Sequence, residues 1–325
     1  MAFVHYTCRM IIPATRDGIR QAALRLNAGG IVAMPTETVY GLAGRVDRAS
    51  AIDMIYSAKG RAADNPLIVH AASAPQALAL IRSNPISESL AREFWPGPLT
   101  IIGVPVGHIS RRVTGGGPTL AVRVPNNDVA LQLLASCGAP VAAPSANRSG
   151  RPSPTTARHV EQDLGTSVMV LDGGACSVGI ESTVIWVNDA SITILRPGTI
   201  TVADFERIGV PIDSTNTHGV TSPGTRYKHY APNLPVRLCT TPEQVHAVLR
   251  KGVNHMVLAP EAYRSEFPRG QFRVLNEHDL YANLRQAEDL CVEGIVVLCD
   301  STIQQHSGLM DRLRRAADAT EQWDT

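Results

Sequence analysis

The stretch from residue 211 to 235 constrains this chain most. It holds Pro211, Pro223, Pro232 and Pro235 together with Gly219, Gly224 and many Ser and Thr residues, and it shows no hydrophobic period. Prolines and glycines without a period break both helix and strand. Residues 1–210 and 236–325 must therefore each build their own core, in keeping with domains of roughly 100 to 200 residues.

On both sides of that break, apolar runs of strand length alternate with helical patterns. The spacing of Ile19, Ala22, Ala23 and Leu26 predicts a helix over Thr15–Ala28, with Thr15 as cap and Gly29-Gly30 as the left-handed stop. Strands are expected at "IVAMP", "PLIVHA", "LTIIGVPV", "LAVRVP", "PVAAPSA" and "VMVLDGG". "TVIWVN" and "ITILRPG" read as a hairpin over Asn188-Asp189. Helices are expected around Ala51–Lys59, after Pro75, and around Ser87–Phe94, Asp128–Ala135 and Thr155–Asp163. This order predicts an α/β domain with a mixed sheet over residues 1–210. After the break come "VRLCT", a helix capped by Thr241 with Pro242 in its first turn and Gln244 closing a capping box, then "HMVLAP" and "FRVLN". A helix over Asp279–Glu293, "IVVLCD" and an Arg-rich last helix complete a small three-layer α/β domain over 236–325.

Lys and Arg number 30 against 29 Asp and Glu, a net charge of +1, so a non-specific nucleic-acid coat is not indicated. The six cysteines are scattered without a C-x-x-C pair, which argues against a disulfide framework or a structural zinc site. No apolar run approaches the ~18 residues of a membrane span, and the first segment, with Arg9 inside it, lacks a signal-peptide layout. A soluble, cytoplasmic protein is the expectation.

Familiar nucleotide and hydrolase signatures are absent: there is no G-x-x-x-x-G-K-[ST], no G-x-G-x-x-G after a strand and no G-x-S-x-G. Polar clusters stand instead where strands end, the usual place for sites in α/β sheets. "PTETVYGL" crowds Thr36, Glu37, Thr38 and Tyr40 together, and reads equally as a bonded turn. "KGRAADNPLIVH" sets Lys59 and Arg61 around a glycine, which suits a phosphate and equally suits a solvated helix end. "PSANRSGRPSP" offers hydroxyls, Asn147 and two arginines around Gly150. "GIESTV" with "LRPG" places Arg196 in an apolar strand, where it needs an anionic partner, either Glu181 or a ligand. Arg123 in a strand and His70 at a strand end say little alone, and Cys176 reads as structural.

Taken in order, "PTETVYGL", "KGR" with "NPLIVH", "FWPGPLT", "AVRVP", "PSANRSGRPSPTTARHV", "DGG" with "GIESTV", "LRPG" and "SPGTRYKHYAP" resemble the threonylcarbamoyl-AMP synthase family in its two-domain form. The resemblance spans residues 31 to 232. It implies a YrdC-like catalytic domain with a twisted mixed sheet flanked by helices, and a smaller Rossmann-like α/β domain after it. It also implies a reaction of L-threonine, bicarbonate and ATP that gives threonylcarbamoyl-AMP and pyrophosphate, used by transfer proteins to modify the adenosine next to the anticodon of tRNA. Such a displacement at phosphorus needs alignment and charge cancellation more than a covalent nucleophile. By the same resemblance Thr38, His70, Arg123 and Ser182, with the Ala143 backbone, face threonine. Arg61, Asn65, Thr119, Ser145, Ser153 and Arg196 face the nucleotide. Lys59 and Asn147 lie near the phosphates, and Lys59 and Arg61 carry the catalysis. Magnesium is expected on the triphosphate, held mostly through water.

Three departures stand out: Ala62 where proline often follows "KGR", the continuation "GLAGRVD", and "RVPNN" without a histidine. None removes a residue given a role. Two alternatives are a carbamoyl-adenylate enzyme with another acceptor, and an RNA-binding module using a patch of Lys59, Arg61, Arg148 and Arg151. A third is a scaffold whose polar clusters are only turns. The segment 211–235 is expected to work as a lid that excludes water from the mixed anhydride, with Arg226, Lys228 and Tyr230, more than Tyr227, reaching the nucleotide after a turn at Pro223-Gly224.

Overall fold

A computed structural model describes residues 10–213, 230–250 and 252–318. The first part runs β1 (Ile11–Pro13), α1 (Arg16–Asn27), β2 (Val32–Met34), β3 (Gly41–Arg45), α2 (Ala49–Lys59), β4 (Ile68–His70), α3 (Ala74–Leu78) and α4 (Pro85–Phe94). It continues with β5 (Leu99–Gly103), β6 (Leu120–Arg123), α5 (Asp128–Cys137), β7 (Val141–Ala142) and α6 (Ala157–Leu164). Next come β8 (Met169–Asp172), β9 (Thr183–Val187), β10 (Ile192–Arg196) and α7 (Val202–Arg207). These strands form one mixed sheet in the order β1-β8-β2-β3-β7-β4-β6-β5-β9-β10.

Alternation along the strands sorts side chains onto two faces. Val32, Met34 and Ala43 pack with Ile19, Ala22 and Leu26 of α1 and Leu133 and Leu134 of α5. Ala33 and Leu42 face the other way, onto Ile52 and Ile55 of α2. The helix ends are set by their caps: Thr15 accepts from the Gly18 N–H, Asn84 from Ser87, Asn127 from Ala130 and Thr156 from His159.

The second part runs β11 (Val236–Cys239), α8 (Pro242–Leu249), β12 (His255–Ala259), β13 (Phe272–Val274), α9 (Leu280–Asp289), β14 (Gly294–Leu298), α10 (Ser301–Gln305) and α11 (Ser307–Asp318). Its sheet is wholly parallel, in the order β11-β14-β12-β13. Met256, Leu258, Ile295 and Val297 pack against α9 and α11, and the alternate residues Val257, Val296 and Leu298 pack against α8. The first of these clusters also takes in Val39, Ile180 and Tyr230, so the smaller core reaches into loops of the larger domain.

Several expectations need correction. The residues after "PTETVY", read as part of a polar loop, form β3 between β2 and β7. Gln244 closes no capping box, because its Oε1 accepts from the Thr240 N–H at 2.8 Å, one residue too early. α9 stops at Asp289, short of Glu293, where Cys291 turns to a positive φ of 51° and the chain drops to β14. Pro211–Asp213 still bond along β10, through Ile192 N to Pro211 O and Asp213 N to Ile192 O. The expected turn at Pro223-Gly224, and Arg226, Tyr227 and Lys228, lie outside the described residues.

Candidate active site

A cavity opens where β2, β4, β6 and β10 end and β9 begins, with Tyr230 on its wall. Its floor is the turn after β2. Thr36 Oγ1 accepts from the Thr38 and Val39 N–H groups, both at 3.2 Å, and donates to Val39 O at 2.6 Å. That leaves Thr38 Oγ1, 2.9 Å from Thr36 Oγ1, to accept from Arg123 Nη1 at 2.9 Å. Arg123 ends β6 directly beside His70 of β4 in the parallel register. Its Nε donates to Gly97 O at 3.2 Å, and its Nη2 lies 2.7 Å from Glu37 Oε1. The Arg123–Glu37 ion pair is buried, and Arg123 also lines the cavity.

His70 is buried, and its Nδ1 is 3.2 Å from Ile68 O. A carbonyl there assigns the proton to Nδ1 and leaves Nε2 as an acceptor. Burial, and then the Arg123 charge, push its pKa down to about 3, so the ring is neutral at physiological pH.

Arg61, also a lining residue, donates to Asn65 O, Asn65 Oδ1 and Pro66 O at 3.1, 2.6 and 2.7 Å, a clamp that fixes its guanidinium. Arg196, at the end of β10, donates from Nε and Nη2 to Ser182 O and from Nη2 to Ser182 Oγ. Ser182 Oγ is also 2.7 Å from Thr100 Oγ1 of β5. Burial lowers the pKa of both arginines, Arg61 to about 10, which leaves it charged at neutral pH.

The cavity brings together Thr38, His70, Arg123, Ala143 and Ser182, expected at threonine. It also takes in Arg61, Ser145, Arg196 and Tyr230, expected at the nucleotide. Five residues with expected site roles stand behind its walls instead. Lys59 Nζ donates to Ser145 O at 2.5 Å, Asn147 O at 2.6 Å and Asn147 Oδ1 at 3.4 Å, three acceptors for the three ammonium protons. Burial, then the nearby Arg61 charge, push the Lys59 pKa down. Lys59, expected to carry catalysis, therefore holds the 145–147 loop rather than lining the cavity. Asn147 is tied to that loop through Arg148 O and Arg151 O, Asn65 holds Arg61, and Ser153 bonds Glu181. Thr119 directly precedes β6 and is not among the lining residues.

The expected basic patch does not assemble. Lys59 is buried, Arg61 faces the cavity, and Arg151 forms a two-pronged pair with Glu288 at 2.8 and 2.6 Å. Glu181, weighed as the Arg196 partner, accepts hydrogen bonds from Ser153 Oγ, from Tyr281 Oη at 2.8 Å and from Arg312 Nε at 2.8 Å. Burial pushes its carboxyl up, but the Arg312 and Arg196 charges with Ser153 outweigh that and hold it below the ordinary carboxylate range. Tyr281 and Arg312 belong to the smaller domain and carried no signal in the sequence beyond a helical pattern.

Residues 25–198 match the family model described as "Telomere recombination", which joins Sua5, YciO and YrdC, and residues 200–318 match the "Threonylcarbamoyl-AMP synthase, C-terminal domain". Threonylcarbamoyl-AMP synthase of Pyrococcus abyssi is 37% identical over 320 residues, 92% of this chain and 94% of that protein. The Bacillus subtilis protein of the same name is 43% identical over 243 residues, 72% of this chain and 70% of its own. The crystal structure of P. abyssi Sua5 complexed with L-threonine superposes with a TM-score of 0.82 at 33% identity, covering 93% of this chain and 94% of that one.

Proposed function

We propose that this chain, which belongs to the threonylcarbamoyl-AMP synthase family, condenses L-threonine, bicarbonate and ATP into threonylcarbamoyl-AMP, with release of pyrophosphate and water. The observation that carries the reading is Arg123, fixed by Thr38, beside a neutral His70, in a cavity that Arg61 and Arg196 also line. A family member from P. abyssi is known complexed with L-threonine, and the Arg123 half suits that ligand.

The Arg123 guanidinium, which lines the cavity, takes the threonine carboxylate. His70 Nε2 accepts a hydrogen bond from the ligand and, with its pKa depressed, orients without drawing a full proton. The threonine amine adds to carbon dioxide derived from bicarbonate, loses a proton and becomes a carbamate. A carbamate oxygen then bonds to the α-phosphorus of ATP as the bond from that phosphorus to the bridging oxygen breaks. Pyrophosphate leaves with that electron pair. Arg61 and Arg196 offset the charge on the phosphates, and the Ser145 loop, held by Lys59, shapes their seat.

Magnesium fits as an ion carried in by the nucleotide. Among the described residues no three His, Cys, Asp or Glu side chains gather to hold a metal, and the cavity carboxylate Glu181 is already engaged. When bound it would screen the triphosphate. The product is then consumed, with transfer proteins, in threonylcarbamoyl modification of tRNA. Incorporation of labelled bicarbonate into a threonine-containing adenylate tests the reading. A labelled product is expected only when threonine and ATP are both present, and label in an adenylate lacking threonine contradicts it.

A further inference from the structure

The smaller domain reaches the edge of the cavity through Arg312 and Tyr281, which both bond Glu181. Arg312, on α11, is fully buried, which a charge tolerates only when its N–H groups find acceptors. It finds them on the larger domain. Nε donates to Glu181 Oε2 at 2.8 Å, Nη2 to Glu181 O at 3.2 Å and Nη1 to Pro197 O at 2.7 Å. Asp311 Oδ2 and Gly308 O take the remaining contacts of Nη1, at 2.9 and 3.4 Å. The guanidinium carbon also stands 5.4 Å from the centre of the Tyr230 ring, within cation–π range.

Each of these partners adjoins a cavity residue. Glu181 precedes Ser182, Pro197 follows Arg196, and Tyr230 lines the cavity itself. From these contacts we infer that Arg312 is a positioning residue for the nucleotide half of the site. One rigid fork fixes the 181–182 turn, the end of β10 and the Tyr230 ring relative to one another. Tyr281 Oη adds a second donor to the same Glu181 oxygen, and the Tyr230 and Tyr281 rings stack with centroids 5.6 Å apart. In the threonine half Ser182 shares the 181–182 turn, but Arg123, Thr38 and His70 have no such dependence. They are bonded to Gly97, Thr36 and Ile68, all of the larger domain.

The inference rests on the proposed reaction only for which ligand occupies which half, and binding measurements separate the two. Dissociation constants for ATP and for L-threonine are measured separately by calorimetry on the full chain, beside Arg312→Met, Arg312→Lys and Tyr281→Phe. Arg312→Met is expected to weaken ATP binding at least tenfold while threonine binding stays within twofold. Arg312→Lys, with one nitrogen unable to span Glu181 and Pro197, is expected to lose at least threefold in ATP affinity. Tyr281→Phe, which keeps the packing and drops one donor, is expected to lose two- to fivefold. Equal loss for both ligands, or unchanged ATP affinity in the lysine and phenylalanine variants, overturns the inference. If the methionine variant fails to fold, those two milder variants decide. An unmodified chain that makes no threonine-containing adenylate refutes the reaction and leaves the Arg312 effect on ATP binding to be judged by itself.

Discussion

Arg123 Nη1 donates to Thr38 Oγ1 at 2.9 Å, joining the end of β6 to the turn after β2 across the floor of the cavity. With Gly97 O, the hydroxyl is an acceptor that fixes the guanidinium. Thr38→Val preserves shape and removes that acceptor. A hydrogen bond to a charged group is worth about 1.5–3 kcal/mol, so the threonine KM should rise roughly 10- to 100-fold with little change in that for ATP. Steady-state kinetics with each substrate varied in turn checks the split.

Lys59 bears on stability and on the nucleotide together. Lys59→Met would leave the carbonyls of Ser145 and Asn147 without their buried donor. An unsatisfied buried polar group costs about 1–3 kcal/mol. The variant should melt several degrees lower and show a raised ATP KM, because Ser145 lines the cavity. Thermal denaturation beside ATP titration makes the comparison.

Acid should weaken the fold through two histidines, the buried His70 and the half-buried His159. Burial, with the Arg123 charge, holds His70 at about 3, and burial, with the Arg285 charge, holds His159 at about 4, against an ordinary 6.5. Between those values and 6.5 the unfolded chain binds the extra proton, so stability present above 6.5 is lost as pH falls. At about 1.4 kcal/mol per pH unit, the buried His70 costs on the order of 2 kcal/mol by pH 5, and the partly exposed His159 less. Denaturant midpoints measured from pH 7.5 to 5 should fall, and His70→Gln should flatten part of that slope.

The domains meet where there is no space for a side chain. A Cβ on Gly308 would stand 2.8 Å from Gly198 O and 2.9 Å from Gly198 Cα. Backbone lies on both sides of that contact, so nothing flexible can yield. Gly308→Ala should loosen the docking, split thermal unfolding into two transitions and weaken ATP binding before threonine binding. Scanning calorimetry reads the transitions.

The sequence carried the helices because their signals are local, as at Thr15, where one side chain caps one end. β3 was not legible, since Gly41 and Gly44 read as loop residues. Close packing on α2 favours glycine at 44, where a Cβ would stand 3.0 Å from Ile55 Cδ1. Arg123 and His70 were individually uninformative as strand residues, and only the β4–β6 register sets them side by side. Arg312 was invisible for a similar reason. On an Arg-rich amphipathic helix it resembles a solvated face, and its burial comes from Glu181, 131 positions earlier in the chain. What a residue does at long range depends on topology, and no local pattern encodes it.

The central claim is that one cavity activates the α-phosphorus of ATP for a carbamate built on threonine. ATP–pyrophosphate exchange, with L-threonine and bicarbonate supplied or withheld, tests it most directly. Exchange is predicted only when ATP, magnesium, threonine and bicarbonate are all present, and it should collapse in Arg123→Lys. Exchange that proceeds equally well without threonine would contradict the account.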